Sequence, residues 1–312
     1  MRIAIVGLGG VGGLLGGLLA KSGAEVAFVA RGAHLQALRE QGLRIEGAVG
    51  SFTVATPDAS DDAGKLAPAD VVLLAVKSWQ VAEVAPTLLP LIGARGFVVP
   101  LQNGLEARDR LAAALGADRV TGGLCHLFAW TERPGLVRQS GPTPSVTVGE
   151  WSGGGSERLE QLCAALAAAG VTATIAPRID AAVWEKALFV EALGAVGAAV
   201  RLPVGAWSAQ PESRALLAAA MRETDAVARA GGVELGQAAI DRALARIDAL
   251  PAEGTASMQR DLAAGRPSEL DDQTGAIVRI AAQRAVDVPV HRFLLGCLLP
   301  HERAARAKAG AA

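Results

Sequence analysis

Three groups of residues in this 312-residue chain could do chemistry. The first is "GLGGVG", where Gly7, Gly9 and Gly12 make G-x-G-x-x-G, with Leu8, Gly10 and Val11 between them. In such a loop the first glycine permits a tight turn and the second lets the backbone approach a pyrophosphate. The third lets the following helix pack close to the sheet with its N–H groups facing the anion. The second is Lys186, in "WEKALFVEALGAVGAAV", residues 184–200, which otherwise reads as a buried apolar helix. The chain uses five lysines against twenty-five arginines, so a lysine here is a marked choice. Arginine cannot release a proton at accessible pH, whereas a lysine can in suitable surroundings. Lys186 either lays its stem along the core and ends in water or serves as a proton donor. The third group is "TASMQRDLAAGRPSELDDQTG", residues 255–275, with Ser257, Asp261 and Glu269 around a Gly-Arg-Pro break. One of its carboxylates could hold a lysine. On spacing alone, Asp261, Glu269, Asp271 and Asp272 read equally well as solvated helix faces.

A hydride carrier that reduces a carbonyl needs a proton from the protein. The chain has no tyrosine and four histidines, His34, His126, His291 and His301. His34 follows the second strand, His291 and His301 belong to the tail, and His126 in "LCHLFAW" reads as core. Lys186 remains the best general acid.

These residues need elements to place them. Residues 3–6 read as a buried parallel strand, the glycine loop opens a helix, and residues 26–30 read as the next strand. Arg31 ends that strand, where an acidic residue would hold the ribose hydroxyls of NADH. An arginine suits a 2′-phosphate and points to NADPH. Residues 70–76 and 97–101 are further strands, ending in Lys77-Ser78-Trp79 and Gln102-Asn103-Gly104. Ligands of open parallel sheets lie outside the carboxyl ends of strands, which places Lys77 and Asn103 at the cofactor's rim. A strand over 144–150, a helix over 157–169 and a short strand over 171–175 follow.

From about Pro177 only helical spacing appears, over 182–200, 211–230, 235–250, 257–265 and 269–286. A tail helix follows Pro289, and its basic end, residues 303–312, is expected to fray. The expectation is an α/β protein: an amino-terminal Rossmann-type parallel-sheet domain that binds NADP, residues 1–176, then an all-helical substrate domain, residues 177–312. On the helix of Lys186, positions 190, 193 and 197 share its side, with 194 at the edge. Gly194 and Gly197 cost helix stability but leave room for a neighbouring helix or a ligand.

The net charge of −1 gives no reason to expect nucleic acid or an anionic membrane as partner. Cys125, Cys163 and Cys297 are scattered without a C-x-x-C, which argues against disulfides and structural metal and fits a reducing cytoplasm. Residues 3–20 are uncharged, but seven of the eighteen are glycine, poor material for a membrane span. The alanine-rich helical half could pair with a copy of itself as a homodimer.

Taken together, "GLGGVG", Arg31, "VKSWQ" at 76–80, "QNG" at 102–104, "WEKALF" at 184–189, "SMQRD" and "RPSELD" at 257–271 resemble the ketopantoate reductase family along nearly the whole chain. The resemblance implies NADPH-dependent reduction of 2-dehydropantoate (ketopantoate) to pantoate, on the route to pantothenate. It puts Gly7, Gly9 and Gly12 at the pyrophosphate and Arg31 with Lys77 at the 2′-phosphate. Asn103 falls near nicotinamide and substrate, Lys186 at the proton donor, and Ser257 at a substrate contact. Glu269 becomes the acid that bonds the substrate hydroxyl and holds the lysine. The chain departs from the family's asparagines at Val190, Gly194, Gly254 and Gln273-Thr274-Gly275. A pocket that loses such donors discriminates differently, so a more apolar 2-oxo acid is the alternative substrate. A non-catalytic NADPH-binding regulator is a third reading, against which Lys186 and Glu269 argue.

Overall fold

A computed structural model describes residues 1–310, in two compact units. The first unit comprises Met1–Gln102 and Ala107–Ile179; the second comprises Asn103–Glu106 and the chain from Asp180 onward.

The first unit opens with β1 (Arg2–Val6), α1 (Gly10–Lys21), β2 (Glu25–Val29) and α2 (Gly32–Gln41). Next come β3 (Leu43–Gly47), β4 (Phe52–Val54), β5 (Asp58–Ser60), β6 (Ala69–Leu74), the short α3 (Val81–Val84) and β7 (Ile92–Pro100). It closes with α4 (Ala107–Leu115), β8 (Gly122–Arg133), β9 (Leu136–Gly149), α5 (Glu157–Ala168) and β10 (Thr172–Ile175). One sheet, ordered β5-β2-β1-β6-β7, is parallel throughout. Its central runs, Ile3–Val6 and Val71–Leu74, are buried on both faces, as the unbroken apolar spelling demands. A second sheet, β10-β9-β3-β4 with β8 on β9, lies outside the sequence expectation, which placed only its β9 and β10.

That second sheet explains the glycine-rich α1. A β-carbon at Gly16 would lie 2.5 Å from the Phe28 ring of β2, and one at Gly12 would strike the Gly7 carbonyl. On the opposite side, β-carbons at Gly13 and Gly17 would lie 2.6 Å from Val137 and 2.8 Å from Ile45 of the second sheet. α1 is clasped between two sheets, with glycine at each contact. Among the described residues no helix is long and apolar enough to cross a membrane.

The second unit is helical: α6 (Ile179–Val200), α7 (Val204–Trp207), α8 (Pro211–Ala230), α9 (Gly236–Asp248), α10 (Ser257–Ala263), α11 (Ala276–Gln283) and α12 (Pro289–Gly310). Its core joins Leu188 and Val196 of α6, Trp207, Met221 of α8 and Leu294 of α12, all buried. Two expectations are corrected here. The single helix over 269–286 is interrupted by a π-helical turn, Asp271–Gly275, before α11 begins. The tail stays helical through Gly310, because Ala305 is buried and Arg306 donates to the Ser268 carbonyl; residues 311–312 lie outside the described residues.

Candidate functional site

The parallel register brings the carboxyl ends of β1, β2, β6 and β7 to one edge of the sheet. The glycine loop follows β1 at its centre. Gly7 has φ +94°, a conformation that disfavours any side chain, and its β-carbon would lie 2.6 Å from the Val76 nitrogen. Gly12 is needed for the approach of α1 to that turn. Gly9 is different. It caps α1 with φ −70°, and no atom lies within 4 Å of where its β-carbon would stand. No side chain caps α1 either, so the first N–H groups of the helix face this open space. Internal packing leaves the glycine at position 9 unexplained, whereas a pyrophosphate against the helix N-terminus accounts for it. The residues present fit a dinucleotide.

The contrast is testable. Gly9→Ala is expected to melt like the parent while the Kd for NADPH rises about tenfold or more, ~1.4 kcal/mol. Gly12→Ala is expected to lower the melting temperature as well, because its methyl group displaces α1. Thermal melts paired with NADPH titrations check both.

β2 and β6 flank β1, so Arg31 and Lys77, which follow them, stand on either side of the glycine loop. Arg31 precedes α2 with an exposed side chain, 3.7 Å from Glu83 of α3. A pair so exposed is weak and screened, and leaves the guanidinium available to a phosphate. The Lys77 ammonium lies 5.8 Å from the centre of the Trp79 ring, and its backbone N–H donates to the Gln80 side chain at 3.2 Å. Gln102, which the sequence offered only as part of a motif, donates to the Leu74 and Val76 carbonyls at 2.8 and 3.0 Å and so ties off the end of β6.

The next residues, Asn103–Glu106, belong to the second unit. Arg279 of α11 fastens them, donating to Glu106 at 3.1 and 2.7 Å and to Asp271 of the π turn at 3.0 Å. The hydrogen bonds from Arg279 to Glu106 hold its guanidinium above the usual arginine range. Gly104, with φ +101°, passes so close that a β-carbon would lie 2.5 Å from the Asp272 carbonyl. This seating places the Asn103 amide against Glu269, to which it donates at 3.4 Å. Gln273 donates to the same carboxylate oxygen at 3.4 Å. Glu269 is 7% exposed, so the reading of that acid as a solvated face is overturned.

Lys186 is half-buried two residues after the buried Trp184 on α6, and Ser257 is half-buried at the first position of α10. A hydrogen bond joins Asn103 to Glu269; among the described residues no ion pair joins Lys186 to Glu269. The glycines beside the lysine have a packing reason. A β-carbon at Gly194 would lie 2.9 Å from Met258, and one at Gly197 would lie 2.7 Å from the Gln259 side chain. A neighbouring helix, α10, takes that room. Gly254 sits in a tight turn, its N–H donating to the Pro251 carbonyl at 2.7 Å. The glycines at 194 and 254 therefore answer to packing, against an apolar side chain at the first and a turn carbonyl at the second.

Sequence reasoning set His291 aside as a tail residue. It is fully buried, between Glu191 of α6 at 2.7 Å and Glu223 of α8 at 2.6 Å. The available signal was Glu191, an acid set among apolar residues on the helix that holds Lys186.

A parallel sheet with a glycine loop at its central strand, in one chain with a helical unit holding a half-buried lysine and a buried amide-bonded glutamate, defines the architecture of a dinucleotide-dependent oxidoreductase. Residues 3–153 match the family described as "Ketopantoate reductase PanE/ApbA", and residues 178–302 match its "C terminal" counterpart. A 2-dehydropantoate 2-reductase of Halobacterium salinarum is 35% identical over 94% of this chain and 96% of its own length. The crystal structure of a PanE/ApbA family ketopantoate reductase from Ralstonia eutropha superposes with a TM-score of 0.89 at 32% identity, covering 98% of this chain and 100% of that one. The chain belongs to the ketopantoate reductase family, whose members are oxidoreductases that take a nicotinamide cofactor. That membership sets aside the non-catalytic regulator. D-mandelate dehydrogenase, in a complex with NADH and anilino(oxo)acetate, shares the fold with a TM-score of 0.89 at 22% identity, covering 98% and 99% of the two chains.

Proposed function

We propose that this chain reduces ketopantoate to pantoate with NADPH, the step that feeds pantothenate synthesis in the cytoplasm. The observation that carries this reading is the bond from Asn103 to the buried Glu269. It seats the residues that follow β7 against an acid that the family resemblance assigns to the substrate. When bound, NADPH supplies the hydride. Lys186 then gives its proton to the carbonyl oxygen as charge develops there, and Glu269 accepts the substrate's hydroxyl hydrogen bond. Asn103 orients Glu269, Ser257 contacts substrate, and Gly7–Gly12, Arg31 and Lys77 hold the cofactor. NADPH is preferred to NADH because the residue that ends β2 is cationic and exposed.

A second substrate reading rests on Met258, which covers Gly194 with an apolar side chain. It favours a more apolar 2-oxo acid than ketopantoate.

The deciding experiment is NADPH oxidation against ketopantoate and a panel of 2-oxo acids of rising side-chain size and polarity. Ketopantoate is expected to give the highest kcat/KM. A more apolar acid ahead by tenfold or more moves the assignment to the second reading, and no reduction of any of them overturns both. In the same assay Arg31→Asp is expected to weaken NADPH by roughly 10- to 100-fold, ~1.4–2.8 kcal/mol, and NADH far less. Equal effects on both cofactors would remove Arg31 from the 2′-phosphate.

A further inference from the structure

Glu269 stands at the start of a helical segment, just after the Gly-Arg-Pro break and just before the π turn. A residue in such a place has little local structure to hold it. What holds it comes from the far end of the chain. The backbone N–H of Ser268, the preceding residue, donates to Glu302 of α12 at 2.9 Å, and its hydroxyl donates to the same carboxylate oxygen at 2.5 Å. Arg306, one turn further along α12, pairs with the other oxygen of Glu302 at 2.5 Å and donates to the Ser268 carbonyl at 2.9 Å. Donor and acceptor of one backbone residue are thus both gripped by one helix. The Ser268 hydroxyl also accepts from the N–H of Leu270 at 3.3 Å, the residue at which the helical segment begins.

Resting on the reading of Glu269 as the substrate-facing acid, we infer that Glu302 is a positioning residue for the reduction: the Glu302–Arg306 grip on Ser268 fixes where the Glu269 carboxylate stands. Glu302 is 1% exposed and Ser268 is 0% exposed. Burying a carboxylate is costly unless hydrogen bonds and a counter-charge compensate it. A contact that only closed the core would be met as well by an apolar pair. α12 is also anchored three turns earlier, where His291 lies between Glu191 and Glu223, with Pro300 interrupting the helix hydrogen bonds between the two places. The position of Ser268 is therefore set locally, by Glu302 and Arg306, and π turns of the kind that follows are frequent at functional sites.

The test is a double-mutant cycle on the full chain, with NADPH and ketopantoate (or the best acid of the panel) as substrates. Glu302→Gln keeps the shape but turns an amide N–H toward a donor or toward Arg306. The expected result is a kcat lowered by about 10- to 100-fold, as for a small misplacement of a reacting group. The Kd for NADPH stays unchanged, and Glu269→Gln/Glu302→Gln is no slower than Glu269→Gln alone. Losses that multiply in the double variant, or a parental kcat in Glu302→Gln, overturn the positioning role while leaving Glu269 in place. A parental kcat in Glu269→Gln overturns the reading of that acid and the inference with it. If Glu302→Gln does not fold, Ser268→Ala removes the two hydrogen bonds of the hydroxyl, with Glu302 and with Leu270, and no charge. Its expected loss is several-fold in kcat, again absent in the Glu269→Gln background, and a loss that persists there overturns the inference.

Discussion

Replacing Lys186 with alanine is expected to lower kcat by about 10²- to 10⁴-fold, the range contributed by a positioned general acid, with the Kd for NADPH unchanged. The expectation rests on the shortage of alternatives. The chain has no tyrosine to donate the proton. His291 is fully buried between two carboxylates, and His34 lies on α2, where its ring accepts from the Gly135 N–H at 3.3 Å. Lys186 is half-buried on α6, with the buried Trp184 and Ala187 beside it in the chain. If its only role were to lay its stem along that surface, Lys186→Met would preserve the packing and most of the turnover. A proton donor predicts the reverse: methionine is as inactive as alanine. Lys186→Arg is inactive too, because a guanidinium keeps its proton. Steady-state kcat for the three variants, beside an NADPH titration of each, separates the cases.

The parallel sheet was legible because its central strands are buried on both faces and therefore spelled with unbroken apolar residues. The second sheet was not, and its residues show why. β8 begins with Gly122 and Gly123, which read as breakers in a strand. Gly122 lies against Ile179, and a β-carbon on Gly123 would strike Val99, so both glycines answer to tertiary neighbours that no local pattern reveals. The edge strand of the parallel sheet was missed too: β5 is "DAS", a poor strand by composition, paired in parallel with β2 and fastened at Asp58 by Arg2 at 2.6 Å. β3 did carry a signal, since Leu43 and Ile45 are buried on either side of the exposed Arg44. Five residues of alternation before a Gly-rich stretch are weak evidence without their partner strands. The same limit governed the candidate site. Lys186, Asn103, Ser257 and Glu269 could be nominated from residue types and a family pattern, and Gly194 left open a ligand or a helix. Only the fold shows Met258 in that room and sets Glu302, more than thirty residues downstream, on the backbone before Glu269.

Stability is expected to fall as pH rises from about 6.5 through about 9, and His291 is the cause. Burial by itself would lower the pKa of this imidazole, but Glu191 and Glu223 on its two nitrogens outweigh burial and push it up to about 9. The folded state therefore binds the proton more tightly than the unfolded chain, whose histidines titrate near 6.5. With the folded pKa the higher of the two, the contribution is complete below about 6.5 and lost as pH rises through about 9. A shift of that size corresponds to about 3 kcal/mol. At the acid end the sign reverses. Glu223 accepts from His291 and from the Val290 and His291 backbone N–H groups, which outweigh its burial and lower its pKa. Its contribution is present above the ordinary carboxylate range and lost as pH falls below it. His291→Phe would leave the buried Glu191 and the half-buried Glu223 without their shared counter-charge, at an expected cost of about 3–5 kcal/mol. It would also flatten the slope between pH 6.5 and 9. Urea melts of the parent and of His291→Phe at pH 6.5, 8 and 9.5 check both statements. A slope that survives the substitution would assign the alkaline loss to another group, whereas its disappearance ties that loss to the helix that also carries Glu302.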